Sequence, residues 1–217
     1  MVRWKFQRYA KNYLRCGKGV DESIGRLQDT LKELDLDEDT LVLFTSDNGS
    51  HSEGGYNPNF FDSNGPLRGN KRSLHDGGIR VPLIARWPGK IRAGSTSRQT
   101  ICFTDMLATF AAVADAKLPP NAGPDSFNIL PVLLGKQPEA KPIRGPIVIP
   151  ARRGMMSIRS GHWKLITGLG SGGFSKPSNI KPQPGGPVGQ LYNLSNDLAE
   201  TRNLYHEKPR IVDPLLG

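Results

Sequence analysis

Residues 41–49 read LVLFTSDNG, and this short stretch is the strongest indicator of fold class in the sequence. Its first four residues form a continuous apolar run, which is typical of a strand buried on both faces of a largely parallel sheet. The run ends in a polar turn that contains Asp47 and Asn48. Because open α/β sheets place ligands at the C-terminal ends of their strands, we expect these two residues to belong to a functional site.

The sequence on both sides of this stretch fits an α/β domain. Apolar residues recur at helical spacing from Val20 to Leu34, which predicts an amphipathic helix packed on the sheet. Residues 50–80 form a long glycine-rich segment, and loops of that length within a domain are usually functional or disordered. Its aromatic residues favour an ordered loop. Residues 81–87 predict a second strand, and residues 106–113 predict another helix.

The texture of the sequence changes after Leu134. A proline-containing linker is followed by three short apolar runs, at residues 147–149, 155–158 and 163–166, which predict antiparallel strands. Residues 168–189 are rich in Gly, Ser, Pro and Lys and predict a mobile loop. We therefore expect a boundary near residue 140, with one domain over 1–140 and a small α+β subdomain over 141–217.

The bulk composition limits the classes of function. The 217 residues carry a net charge of +9, which favours anionic partners such as nucleic acids, acidic lipids or sulfated and phosphorylated molecules. The basic residues are scattered, and no zinc-finger, RNP or basic-zipper pattern is present, so we expect no nucleic-acid partner. No apolar run approaches the length of a membrane span, so we expect no membrane partner. The two cysteines form no metal or redox motif.

The polar residues of the central loop suggest a site for an anion and a hard cation. Asp47 and Asn48 offer oxygen ligands suited to Ca²⁺ or Mg²⁺, although D-N-G alone is also a common turn. Lys71 could reach an anionic group, and His51 and His75 could exchange protons near neutral pH. Each residue taken separately is more often an ordinary surface or loop residue.

The segments FTSDNGSHSEGG and FFDSNGPLRGNKRSLHDGGIRVPLIARWPGKI together resemble the sulfatase family of the alkaline-phosphatase superfamily. GHWKLI and LYNLSNDLAETRNL resemble that family's C-terminal subdomain, and the resemblance covers residues 20–209. It implies the C-terminal part of an alkaline-phosphatase-like mixed-sheet α/β domain, followed by a small α+β subdomain with an antiparallel sheet. It also implies an arylsulfatase-like hydrolase that cleaves a sulfate ester of a small molecule or glycan with the help of a metal ion.

The resemblance assigns roles at matching positions. Asp47 and Asn48 match the family's second pair of metal ligands, for Ca²⁺ or Mg²⁺. Lys71 matches the lysine that contacts the sulfate group, which makes it both a catalytic and a substrate-binding candidate. His51 falls where relatives place substrate-contacting groups and is a second catalytic candidate. Apart from the resemblance, Arg68 flanks Lys71 in the loop and is a further substrate-binding candidate, because its positive charge would attract a sulfated glycan.

One element of the family's chemistry is absent from this sequence. Sulfatases attack with a formylglycine made from the cysteine of C-x-P-S-x-R, and neither Cys16 nor Cys102 lies in such a motif. We therefore expect the chain to be a fragment that is weakly active or inactive alone, with a missing N-terminal half as a partner. The alternatives are a phosphodiesterase or phosphonate hydrolase of the same superfamily and a non-catalytic binder of sulfated glycans. By family resemblance, a full-length protein with a signal peptide would be periplasmic or secreted.

Overall fold

The computed structural model describes residues 2–151 and 154–217, with side chains from residue 11 onward. Its helices are α1 (Val2–Glu33), α2 (Pro58–Phe61), α3 (Asp76–Ile79), α4 (Met106–Val113), α5 (Leu130–Leu133) and α6 (Pro209–Leu216). Its strands are β1 (Val42–Thr45), β2 (Leu83–Arg86), β3 (Ile147–Pro150), β4 (Met156–Ser160), β5 (Trp163–Ile166) and β6 (Gln190–Asn193). Among the described helices, none is both long and apolar enough to cross a membrane.

The two strands expected around the polar loop are present, but they pair antiparallel. Phe44 of β1 lies opposite Ile84 of β2. The expectation of a parallel arrangement is wrong for this pair, because the connecting residues 46–82 lead the chain back along the first strand instead of across the sheet. Burial on both faces is also not observed, since Phe44 is 39% exposed and Ile84 is 60% exposed. A sheet of two strands has too few neighbours to cover its apolar side chains.

Helix α1 is longer than the sequence pattern predicted. It begins at Val2 instead of near Val20, because the preceding segment contains no proline to interrupt it. Its apolar stripe was expected to pack on the sheet, but Val20, Leu27 and Leu34 are all at least half exposed. Of the stripe, only Ile24 and Leu31 are partly buried, so the predicted helical period is present but the expected packing on the sheet is not.

The C-terminal region contains the predicted antiparallel sheet and one additional strand. The sheet order is β3-β4-β5-β6, and every neighbouring pair is antiparallel. On one face, Leu165 and Leu191 pack with Val212 of α6. On the other face, Ile166 and Tyr192 pack with Leu74, which belongs to the glycine-rich loop. The core of the chain is thus built on both faces of this sheet.

The glycine-rich loop joins the two regions that the sequence separates near residue 140. Leu74 is buried against the C-terminal sheet, and its backbone N–H donates to the carbonyl of Ser171 at 2.7 Å. The backbone N–H of Asn70 donates to the Ser175 hydroxyl at 2.9 Å. Residues 171–175, expected to be mobile, are therefore docked on the loop. The position of the domain boundary stays a prediction.

Candidate active site

The tip of β1 presents a carboxylate with no competing partner. Asp47 is exposed, and no described residue donates a hydrogen bond to its carboxylate or forms an ion pair with it. Asn48 follows it and is half-buried. The backbone carbonyl of Asn48, and not its side chain, accepts a hydrogen bond from the Ser46 hydroxyl at 3.0 Å. The tip of the strand therefore offers two side chains, a carboxylate and an amide, whose oxygens are available to a ligand.

The strand tip is fastened to the glycine-rich loop by backbone hydrogen bonds. The N–H of Gly49 donates to the Gly78 carbonyl at 3.0 Å, and the N–H of Lys71 donates to the Ser50 carbonyl at 2.7 Å. A Cβ atom added to Gly49 would lie 1.8 Å from the carbonyl oxygen of Gly77, a distance no side chain can occupy. Glycine is therefore required in D-N-G for this contact, so the motif does more than turn the chain.

One cavity collects three of the predicted site residues. It has a volume of about 590 Å³, and Asp47, Asn48 and Lys71 all line it. The sequence separates the first two from Lys71 by more than 20 residues. The loop geometry brings the carboxylate, the amide and the ammonium group to the same cavity, and their roles as site residues stay predictions.

The ammonium group of Lys71 is held by an acidic residue that the sequence did not single out. Lys71 Nζ lies 3.1 Å from Glu53 Oε2, in an ion pair that is partly open to solvent. Hydrogen bonding and attraction from Lys71 lower the pKa of Glu53. Eighteen residues of irregular loop separate the two, so no periodic pattern links them. Glu53 therefore directs the ammonium group of Lys71 through this contact.

His51 supports the turn that carries Glu53. Its Nδ1 accepts a hydrogen bond from the backbone N–H of Glu53 at 3.0 Å, and its ring lies 5.2 Å from that of Tyr56. In the neutral ring this contact places the proton on Nε2. His51 is not among the residues that line the cavity of Lys71. Its catalytic role stays a prediction.

Arg68 is not brought to that cavity. It lines a separate cavity of about 350 Å³, and its guanidinium donates to the Glu200 carbonyl at 2.8 Å and to the Tyr192 hydroxyl at 3.4 Å. These contacts tie the loop to the C-terminal sheet. Its substrate-binding role stays a prediction, and the observed contacts give it a structural role.

His75 does not exchange protons near neutral pH, contrary to expectation. The side chain is buried, and burial lowers the pKa to about 4, with Arg68 and Lys164 adding repulsion. The imidazole is therefore neutral at pH 7. Its Nδ1 shares a hydrogen bond with the Ser73 hydroxyl at 3.1 Å.

A buried cluster of charges fixes the end of the loop. Lys164 of β5 is 1% exposed, and its Nζ lies 2.6 Å from Asp76 Oδ1 and 2.9 Å from Glu200 Oε1. Glu200 Oε2 accepts the backbone N–H of Asp76 at 2.7 Å. Burial raises the pKa of Glu200, and the attraction of Lys164 opposes that shift. Lys164 and Glu200 lie within the GHWKLI and DLAE segments, but the sequence pattern gave no reason to pair them with Asp76.

The donor set at the strand tip fits part of a calcium shell. Carboxylate and amide oxygens are the ligands that hard cations prefer, and Ca²⁺ takes about six to eight of them. Within residues 11–151 and 154–217, no group of three His, Cys, Asp or Glu side chains is arranged to hold a metal ion. Asp47 and Asn48 therefore suit a hard cation but account for only two of its ligands.

Comparison with known proteins gives a matching family model and similar proteins of known name. A family model described as Sulfatase matches residues 3–116. An N-acetylgalactosamine-6-O-sulfatase of Bacteroides thetaiotaomicron is 32% identical over 208 residues, which cover 90% of this chain and 39% of that protein. Human arylsulfatase A is 37% identical over 151 residues, which cover 67% of this chain and 28% of that protein. The chain thus spans well under half the length of these relatives.

Solved structures with a similar fold are also found. A Bacteroides thetaiotaomicron structure from work on glycosaminoglycan metabolism matches with a TM-score of 0.73 and 32% identity, covering 91% of this chain and 41% of the other. The structure of Ps i-CgsB in complex with k-i-k-neocarrahexaose matches with a TM-score of 0.72 and 28% identity, covering 91% and 39%.

Proposed function

Because the chain belongs to the sulfatase family, we propose that the cavity of Asp47, Asn48 and Lys71 binds the –OSO₃⁻ group of a sulfate ester and forms part of a hydrolytic site. The observation that carries this proposal is the shared cavity itself, which joins two oxygen ligands to an ammonium group. Neither group alone would distinguish a site from an ordinary surface.

Each side chain has a defined task in this proposal. Asp47 and Asn48 supply two ligands to a Ca²⁺ ion, with Mg²⁺ as the alternative. When bound, the cation would stabilise negative charge on the sulfate oxygens. Lys71 donates to the sulfate and stabilises the charge that develops when the S–O bond breaks. The incoming sulfate displaces the Glu53 carboxylate from Lys71, because both groups are negatively charged and compete for the same ammonium group.

We further propose that the sulfate is carried by a sugar. One relative described above acts on sulfated N-acetylgalactosamine by its name, and one matching structure holds a carrageenan-type oligosaccharide. The net charge of +9 favours association with a polyanionic glycan.

The 217 residues do not supply the attacking group. No cysteine or serine stands in a C-x-P-S-x-R type motif. We therefore expect these residues alone to bind a sulfate ester without turning it over. A formylglycine supplied from outside this sequence would complete the reaction.

Isothermal titration with CaCl₂ and with sodium sulfate in the presence of Ca²⁺ tests the proposal. Asp47→Ala should abolish Ca²⁺ binding, because it removes the charged ligand. Lys71→Ala should weaken sulfate binding by about tenfold or more while leaving Ca²⁺ binding intact. Asp29→Ala and Lys18→Ala remove exposed charges of α1 and serve as matched controls. If sulfate binds equally well to the parent chain and both site variants, the proposal is wrong.

A further inference from the structure

The cavity has more room than a sulfate group fills. At about 590 Å³ it would hold on the order of 20 water molecules, whereas a sulfate group replaces only a handful. We propose that Arg72, Phe174 and Asn179 form a subsite for the pyranose ring that carries the sulfate. This inference rests on the proposed function and names the part of the cavity that recognises the sugar.

The subsite is built by a loop from the C-terminal region. Residues 171–175 are fixed on the glycine-rich loop by the two hydrogen bonds to Leu74 and Asn70 described above. A Cβ atom added to Gly173 would lie 1.7 Å from the carbonyl oxygen of Arg72, so the two backbones are in direct contact. Phe174 is thereby set at the wall of the cavity beside Arg72.

Phe174 provides an aromatic surface on which the apolar face of a sugar ring can stack. The Arg72 guanidinium carbon lies 4.3 Å from the centroid of its ring, and 47% of the residue is exposed. The cation therefore covers only part of the ring, and Phe174 lines the cavity. Aromatic surfaces of this kind bind the apolar faces of ligands, and a few polar groups around them fix orientation.

Arg72 is held in an unusual backbone conformation beside this ring. Its φ is +69°, in the left-handed region that non-glycine residues seldom adopt. Such strain persists only where surrounding contacts impose it, and it is concentrated at functional sites. Its guanidinium forms no ion pair with a described carboxylate, so its donors are available to a ligand.

Asn179 completes the subsite. Ser178 and Asn179 line the cavity, and neither side chain makes a hydrogen bond with a described residue. Asn179 offers both donors and an acceptor, which suits the hydroxyl groups of a sugar. A plain aryl group could stack on Phe174 but would leave Asn179 unused. The combination of ring, guanidinium and amide therefore favours a hydroxylated ring.

Binding of three probes to the 217-residue chain in Ca²⁺ tests this subsite. The probes are inorganic sulfate, galactose 6-sulfate and phenyl sulfate, measured by isothermal titration. Galactose 6-sulfate should bind more tightly than the other two. Phe174→Ala should weaken it by about tenfold and leave inorganic sulfate within about twofold. Asn179→Ala should weaken galactose 6-sulfate by about threefold and leave phenyl sulfate unchanged.

The controls separate this inference from the proposed function. Phe103→Ala removes an exposed ring that lines neither cavity and should change nothing. If galactose 6-sulfate binds no better than inorganic sulfate, or if Phe174→Ala weakens both equally, the subsite is wrong and the sulfate site stands. If the parent chain binds none of the three probes, the proposed function is wrong and the subsite falls with it.

Discussion

The C-terminal sheet and the β1–β2 sheet differ sharply in how well they are covered. In the C-terminal sheet, Leu165 and Ile166 are fully buried, one on each face. In the β1–β2 sheet, Phe44 and Ile84 lie opposite each other and are both exposed. The proposed metal ligands Asp47 and Asn48 sit at the tip of the poorly covered strand β1. Backbone hydrogen bonds hold this strand tip against the glycine-rich loop, and that loop packs on the C-terminal sheet through Leu74. The candidate site therefore depends on a region that is distant from it in sequence.

Removal of the buried ammonium group of Lys164 should have the largest effect on the stability of the C-terminal sheet. Lys164→Ala leaves the Glu200 carboxylate buried without its ion-pair partner, and leaves Asp76 with only the more distant Arg159 and Arg80. We expect a loss of about 3–5 kcal/mol in unfolding free energy, measured by urea titration. The matched control is Lys18→Ala, because the ion pair of Lys18 with Glu22 is exposed on α1 and should contribute little. Equal effects of the two substitutions would contradict the assignment of the core to the C-terminal sheet.

The pH dependence of stability should report the same core. His75 has a folded-state pKa of about 4 against 6.5 for the unfolded chain, so the unfolded chain binds the proton more readily. The contribution of His75 to the free energy of unfolding is fully present above pH 6.5 and is lost as the pH falls toward 4. That loss amounts to about 3 kcal/mol.

Urea unfolding between pH 7 and pH 4 measures this dependence. His75→Phe keeps a ring in the buried position and should flatten the profile. His206→Phe alters an exposed histidine and should leave the profile unchanged. A profile that keeps its slope in His75→Phe would rule out His75 as the source.

The smallest effect is expected on the exposed sheet. Ile84→Ala should change the unfolding free energy by less than about 0.5 kcal/mol, because the side chain has little to lose on truncation. The comparison variant is Ile158→Ala, which truncates a buried side chain of β4 and should cost about 2–5 kcal/mol. A cost for Ile84→Ala as large as that for Ile158→Ala would show that β2 is covered in solution.

The local pattern of the sequence predicted many elements and one part of the site. The strands at residues 42–45 and 83–86, three strands of the C-terminal sheet and helix α4 all follow from apolar runs and helical spacing. The motifs in the loop also singled out Asp47, Asn48 and Lys71, which line one cavity. Their chemical roles stay predictions until binding is measured.

The pattern did not predict contacts between distant segments. Glu53 was missed because its partner Lys71 lies 18 residues away across an irregular loop. The pairing of Asp76 with Lys164 and the docking of Phe174 on Arg72 join segments about 90 to 100 residues apart. The expected parallel pairing and the expected covering of α1 failed for the same reason, since periodicity shows which face is apolar and not what covers it.

The sequence by itself determined the apolar runs, the glycines that permit close backbone contact, and the residue types suited to a hard cation and an anion. These are local properties, fixed by side-chain chemistry and the allowed backbone angles. Only the tertiary structure decided that the loop of Lys71 packs on the C-terminal sheet and that Arg68 and His75 lie away from its cavity. Burial depends on which segments meet in space, and it lowered the pKa of His75 and placed Phe174 beside the candidate site.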